Sequence, residues 1–400
     1  MLFLQKISIM IFIILFSGGI FLTSSELIRA QETIDSGKRF RARELGIIIG
    51  NYPTGKYNAI TDVAGVKVGH VTLISGSGKL VPGKGPVRTG VTAILPHGGN
   101  IWQEKVPAGG YILNGCGEMT GFIWMEESGY IETPILLTNT LNVGTVMDGV
   151  IDYMIKTVPE VGISDDTVNP IVAECDDSTL NDIQGRHVTQ EMVLKAIESA
   201  SDGPVEEGCV GGGTGMICYE FKGGIGTSSR VLPEKEGSYT AGVLVMANQG
   251  RRRDLIIKGL PVGKEITDLL SASRKGYGSI IIVVATDAPL TSRQLNRISK
   301  RASLGLARTG TTANNGSGEI ILSFSTAYKI PHYPEEFTCD VKILSDTHIN
   351  PLFEAVEEAT EEAVINALCA ATTMKGRDDN IVYTLPLDRV KMIMKKYGLQ

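Results

Sequence analysis

Gly278-Ser279-Ile280-Ile281-Ile282-Val283-Val284-Ala285-Thr286-Asp287 reads as a buried strand: an unbroken β-branched and apolar run, opened by glycine and serine and closed by aspartate. Similar short runs, each bounded by Gly, Pro, Asn or Asp, recur at 46–49, 66–73, 91–95, 134–138, 170–174, 216–221, 241–247, 255–257, 319–325 and 340–344. Helical stretches lie between them. Thr291-Ser292-Arg293-Gln294 is a capping box that opens a helix which Gly310 can end. Asn350-Pro351 starts a second helix, 352 to about 374, stopped by Lys375-Gly376. A weaker third covers 386–397, and earlier helices are expected near 118–127, 144–156 and 189–200. Strands interleaved with helices predict a layered α/β structure, with helices covering buried sheets. Residues 75–88, rich in Gly, Pro, Ser and Lys, read as a mobile loop, and nothing marks a domain boundary.

Composition agrees. Of 400 residues, 42% are hydrophobic and 20% charged, enough for a large core, while 47 glycines and only 6% aromatics favour tight turns over a helical bundle. That balance excludes a disordered tail, a coiled coil, a collagen-like fibre and a polytopic membrane protein. The net charge of −6 gives the chain no electrostatic reason to seek nucleic acid or an anionic membrane. Lys6 precedes an apolar run, Ile7 to Phe16, then glycines and a second short apolar stretch ending in polar residues. This is the pattern of a cleaved secretory signal, with a cut after Ala30, and it predicts a secreted or periplasmic protein free of the membrane once the signal is removed. The six cysteines form no Cys-x-x-Cys pair and read as buried free thiols. The five histidines show no paired-ligand spacing, so no metal is expected.

Several segments carry chemistry-bearing residues. The glycine loop Gly208 to Gly215 is followed by a strand and lacks the Lys-Ser/Thr of a phosphate loop, so it reads as a turn. Arg251-Arg252-Arg253 reads as a solvated or salt-bridged edge. Ser279, directly after Gly278, admits two readings: the end of a turn, or a nucleophile released by cutting before it. In the second, glycine permits the strained backbone that an N→O acyl shift needs. The freed α-amine, with an ordinary pKa of about 8, then serves as a base. Ser317 and Glu319, in Asn314-Asn315-Gly316-Ser317-Gly318-Glu319, are two apart on one side of an extended segment and able to orient a nucleophile's proton. Asn248, at the end of a strand, offers an amide donor to an oxyanion.

Together these segments resemble the autoprocessing family of the L-aminopeptidase/D-Ala-esterase-amidases and β-peptidyl aminopeptidases. The resemblance runs from about 41 to 377. It includes Arg43-Glu44-Leu45-Gly46-Ile47, Asn58 to His70, Gly213-Thr214-Gly215-Met216, Phe221 to Arg230, Asn248-Gln249-Gly250-Arg251, Pro261-Val262-Gly263, Ser279 to Leu290, Gly316-Ser317-Gly318-Glu319 and Ala359 to Ala363. It implies an αββα sandwich similar to the N-terminal nucleophile hydrolases, with different strand connectivity. It also implies a single catalytic domain over 31–400, cut between Gly278 and Ser279 into an α chain of 31–278 and a β chain of 279–400, needing no cofactor. Ser279 would be the nucleophile, Ser317 and Glu319 its activators, and Asn248 the oxyanion donor. Glu174 would bind the ammonium of a small peptide or amino-acid amide or ester, and the protomers would form a homo-oligomer. The aminopeptidase-esterase branch carries Tyr two residues after this Glu, where the present chain has Asp176; a second carboxylate there points to cationic or β-amino substrates. Two rivals stand beside this reading: an acyltransferase of the related arginine-biosynthesis type, which the leader argues against, and a secreted binding protein in which Ser279 is a plain turn residue.

Overall fold

A computed structural model of the chain describes residues 39–271 and 278–399; the expected leader, 1–30, lies outside them. Two sheets face one another. The first has the order β1 (Lys67–Ser75), β2 (Val87–Leu95), β4 (Ile135–Asn139), β5 (Ile171–Cys175), antiparallel except for the parallel β4–β5 pair. The second runs β3 (Glu104–Gly115), β9 (Gly318–Ser325), β8 (Gly278–Thr286), β7 (Thr240–Gln249), β6 (Gly224–Val231), with only β8 and β9 parallel. Helices α2 (Val143–Thr157) and α3 (Gln190–Glu198) cover the first sheet; α4 (Ser292–Arg308) and α5 (Asn350–Ala370) cover the second. The architecture is the expected αββα sandwich.

The opening strand shows why. Along β8, Ile281, Val283 and Ala285 join the core between the sheets, while Ile280, Ile282 and Val284 join the core under α4 and α5. A strand with an apolar layer on each side needs no polar face, and all six of these residues are fully buried. The Thr291–Gln294 capping box opens α4 as its sequence requires.

The departures have physical causes. Strands β3 and β6 were not expected, because Gly109, Gly110, Gly224 and Gly226 resemble turn signals. Two of these glycines let helices approach the sheet: a Cβ at Gly109 would lie 2.7 Å from Ser292 O of α4, and one at Gly226 would lie 2.0 Å from Ala363 O of α5, while Gly224 lies against the Gly208 backbone. The run at 216–221 is a tight hairpin, Ile217–Cys218 against Phe221–Lys222, with Tyr219 and Glu220 at φ 52° and 60°. At 46–49 burial alternates but no strand pairs with it; 255–257 makes only an isolated bridge, Ile257 to Leu260; and 340–344 forms no strand, with 340–343 exposed and Leu344 half-buried, its N–H donating to Pro289 O at 2.8 Å. The helix expected at 118–127 begins only at Phe122, as α1 (Phe122–Ser128), because Gly121 turns left-handed. α5 stops at Ala370, since Met374–Lys375 is extended against Ile381–Val382. The loop at 75–88 closes the β1–β2 hairpin through a Val81–Gly85 bridge. All six cysteines are free, but Cys116 and Cys339 are exposed, so the buried-thiol expectation holds only for Cys175, Cys218 and Cys369. Among the described residues no helix is long and apolar enough to cross a membrane.

Candidate active site

Ser279 is the second residue of β8, paired opposite Asn248 of β7, while Ile280 is level with Glu319 of β9. By strand alternation Ser279 shares its face with Ile281 and Val283, and Asn248 shares its face with Leu244 and Met246, so both point between the sheets. Gly278, the first residue of β8 and level with Gln249, holds φ 71°, a left-handed conformation that glycine adopts without penalty.

The loop before β9 wraps this hydroxyl. Gly318 N–H donates to Ser279 Oγ at 3.1 Å. The Ser317 hydroxyl donates to Glu319 Oε1. Burial pushes the Glu319 carboxyl above its usual range, and the Ser317 hydroxyl and the Asn114 amide offset part of that shift. Gly318 is confined to glycine by the neighbouring loop: a Cβ there would lie 2.4 Å from Cys116 O. β3 carries one extra residue, Leu113, at the Glu319–Ile320 step; this irregularity leaves Asn114 beside Glu319. Asn114 and the Gly318 amide are contributors the sequence did not disclose, since β3 itself was unrecognised and a backbone N–H has no residue signature.

Asn248 is fully buried and held at both ends of its amide: Oδ1 accepts from Ile217 N–H at 2.8 Å, and Nδ2 donates to Asp176 O at 2.9 Å. The hairpin at 217–222 therefore fixes the amide plane beside Ser279.

Glu174, at the end of β5, faces the same space and is 4% exposed. Its Oε2 accepts from the Thr140 hydroxyl, and its Oε1 accepts from Glu118 N–H at 3.1 Å. Burial raises its pKa; those two donors pull it back, and the nearby carboxylates of Asp176 and Glu118 push it further up. A Cβ placed on Gly117 would be 3.2 Å from Glu174 Oε1 and 3.8 Å from Gly318 Cα, so Gly117 lies between Glu174 and the loop that holds Ser279. The structure thus gathers Ser279, Ser317, Glu319, Asn248 and Glu174 at one end of the sandwich. Asp176 joins them through its backbone carbonyl; its side chain is exposed and accepts from Ser178 N–H at 2.7 Å.

The other candidates lie elsewhere in the logic of the fold. Gly211, Gly212 and Gly213 are buried where β2, β4 and β6 crowd the loop. Of the three arginines, Arg251 pairs with Asp254 at 2.6 Å and Arg253 is exposed. Arg252 is buried over the Phe221 ring and donates to Tyr219 O, Glu220 O, Asp268 O and Leu269 O, clamping the 266–269 segment to the hairpin that holds Asn248. Asp165, Asp166 and His332 bring ligand-type atoms within 4.8 Å of one another, but Asp165 already accepts from Trp102 Nε1, the Tyr333 hydroxyl and the His332 ring, which reads as a clasp.

Comparison with known proteins follows the same residues. The chain is 46% identical over 371 residues to the beta-peptidyl aminopeptidase BapA of Sphingosinicella microcystinivorans, covering 89% of this chain and 92% of that protein. The solved beta-aminopeptidase of Burkholderia sp. superposes with a TM-score of 0.84 at 42% identity, covering 90% of this chain and 100% of that one. The L-aminopeptidase D-Ala-esterase/amidase of Ochrobactrum anthropi, described as a variant of the Ntn hydrolase fold, gives a TM-score of 0.84 at 42% identity, covering 90% and 99%. The model of peptidase family S58 matches residues 58–382, a span that contains every residue of the cluster just described, and the chain belongs to that family.

Proposed function

We propose that the chain is a precursor that cuts itself between Gly278 and Ser279, and that the product is a serine aminopeptidase and amidase acting on substrates with a free amine. The observation that carries this reading is the Ser279 hydroxyl at the head of β8, 3.1 Å from Gly318 N–H, with Asn248 and Glu319 on the strands to either side.

In the precursor, Ser279 Oγ attacks the Gly278 carbonyl carbon and the C–N bond breaks. This leaves an ester and a free Ser279 amine, and water then hydrolyses the ester to a Gly278 carboxylate and restores the hydroxyl. In the mature enzyme the same oxygen attacks the carbonyl of the substrate's first residue; its proton goes to the new α-amine or to the Ser317–Glu319 pair. Asn248 and the Gly318 N–H stabilise the oxyanion. The amine or alcohol leaves, and water releases the acyl group. Glu174 pairs with the substrate ammonium, so an internal peptide would leave a buried carboxylate unpaired, which gives exopeptidase selectivity. β-Amino residues belong to the substrate class because the Sphingosinicella relative is a beta-peptidyl aminopeptidase. Residues 1–30 serve as an export leader, placing the enzyme in the periplasm or outside the cell, and the two-chain protomers associate into a homo-oligomer; the apolar run after Lys6 supports the first of these.

Intact-mass analysis of purified protein tests the core of this reading: two chains meeting at 278/279 are expected, and one uncut chain removes it. Two substitutions test the roles. Asn248→Asp keeps the acceptor for Ile217 N–H but removes the amide donor and sets a buried carboxyl oxygen against Asp176 O, so kcat should fall about 10²-fold or more with a lowered melting temperature, measured on protein whose circular dichroism matches the parent. An unchanged kcat would take Asn248 out of the oxyanion site. Gly117→Ala puts a methyl 3.2 Å from Glu174 Oε1, in the path of the substrate amine. It should lower kcat/KM roughly tenfold through KM, leaving self-cleavage at its normal rate. Equal loss of both would mean that the loop, not the passage, was damaged.

A further inference from the structure

The space beside Gly117 does not end there. It opens into a groove of about 910 Å³ lined by Gly117, Ile112, Met119, Phe122, Ile123, Trp124 and Ile320, with Glu118, Glu126 and Glu127 among its walls. No Lys, Arg or His is among its described lining residues. Ile123 is 86% exposed and Trp124 38%, so the groove leaves an apolar surface uncovered.

Geometry assigns this groove to one part of the substrate. The ammonium sits at Glu174 and the reacting carbonyl at Ser279, so the carbons joining them pass over Gly117. A Cβ on Gly117 would lie 3.7 Å from Ile320 Cδ1, which is part of the groove wall. The substituent on those joining carbons is the side chain of the substrate's first residue, and it is directed onto Ile320 and along the groove towards α1. There it meets apolar side chains first and the Glu126 and Glu127 carboxylates beyond them.

We propose that this groove is the subsite for the first residue's side chain, and that it selects a long side chain with an apolar stem and a positively charged end, of the lysine type. This rests on the aminopeptidase reading above. The stem gains by leaving water against Ile112, Phe122 and Ile320. The cation keeps its head at the exposed rim, beside carboxylates with no competing cation, which is how a long basic side chain divides itself between apolar surface and water. An acidic first residue meets like charge at the same place.

The test compares kcat/KM for lysyl, norleucyl and glutamyl amides, in both α- and β-homo forms, on the cut enzyme. Norleucine matches the lysine stem without its charge. The expected order is lysyl over norleucyl over glutamyl, with a lysyl-to-norleucyl ratio of roughly five to ten at low salt that declines as salt screens the pair. In Glu126→Gln/Glu127→Gln the ratio should fall towards one. A wild-type ratio of one or below, a glutamyl preference, or a ratio unaltered by the double substitution overturns the proposal while leaving the aminopeptidase reading intact. If cut enzyme hydrolyses none of the three, the aminopeptidase reading fails, and this subsite with it.

Discussion

Ser279→Ala should yield a single full-length chain with kcat/KM lowered by about 10⁴-fold or more, because one hydroxyl serves both the internal cut and substrate turnover. The substitution is mild for the fold. Ser279 is buried within β8, and its side chain's described bond is the one accepted from Gly318 N–H, so removing it costs about 1 kcal/mol. A melting temperature near that of the parent is therefore expected, and the uncut mass cannot be blamed on unfolding. Ser279→Thr is the companion: it keeps the nucleophile but adds a methyl in a tight space, so cutting should survive at a reduced rate. Appearance of both chains in Ser279→Ala would show that something other than this hydroxyl breaks the 278/279 bond. Cutting lost in both variants with parental stability would point instead to a geometric demand on the bond itself, which Gly278 at φ 71° already makes visible.

How far the sequence discloses this site depends on the kind of interaction involved. Side chains that act through their own chemistry are visible: Ser279, Ser317, Glu319 and Asn248 stand at or beside the ends of apolar runs, whereas Glu174 enters only through the family resemblance; the fold brings them together. The central strands were equally plain, since β7, β8 and β9 are continuous apolar segments. What stayed hidden was work done by backbone and by glycine. β3 looks like loop because Pro107, Gly109 and Gly110 break its pattern, yet it supplies Asn114 beside Glu319 and Ile112 to the groove. The Gly115–Glu118 loop has no residue that announces a function, although its Glu118 N–H holds Glu174. Asp176 acts in two ways, of which its residue type shows one: its carboxylate raises the Glu174 pKa, while its carbonyl oxygen, which any residue there would offer, accepts from Asn248.

Glu174→Gln should reduce kcat/KM for free-amine substrates about 10³-fold and leave self-cleavage unaffected. The magnitude follows from removing one partner of a nearly buried ion pair, about 3–5 kcal/mol. Self-cleavage is spared because the Gly278–Ser279 bond has no ammonium on its acyl side. Stability should not fall either. The Gln carbonyl still accepts from Glu118 N–H, the Thr140 hydroxyl can turn to accept from the amide, and a carboxylate disfavoured by burial has been made neutral. An N-acetylated substrate sharpens the test, because the ratio of free-amine to acetylated rates should collapse in the variant. The pH profile gives the sign. Glu174 must be ionised to hold the ammonium, and its pKa is raised by burial, so kcat/KM should fall on acidification at a pH above the ordinary carboxylate value of about 4.3. The alkaline limb follows loss of the substrate ammonium near pH 8. In the Gln variant the Glu174 component of the acid limb disappears. Any limb that survives belongs to the freed Ser279 α-amine, which must be neutral to act as a base, to Glu319, also raised by burial, or to the buried Asp177, pushed up to about 7. An acid limb and a free-amine preference both unchanged in Glu174→Gln would move the ammonium site away from this carboxylate, and Gly117 would no longer lie on the substrate's path.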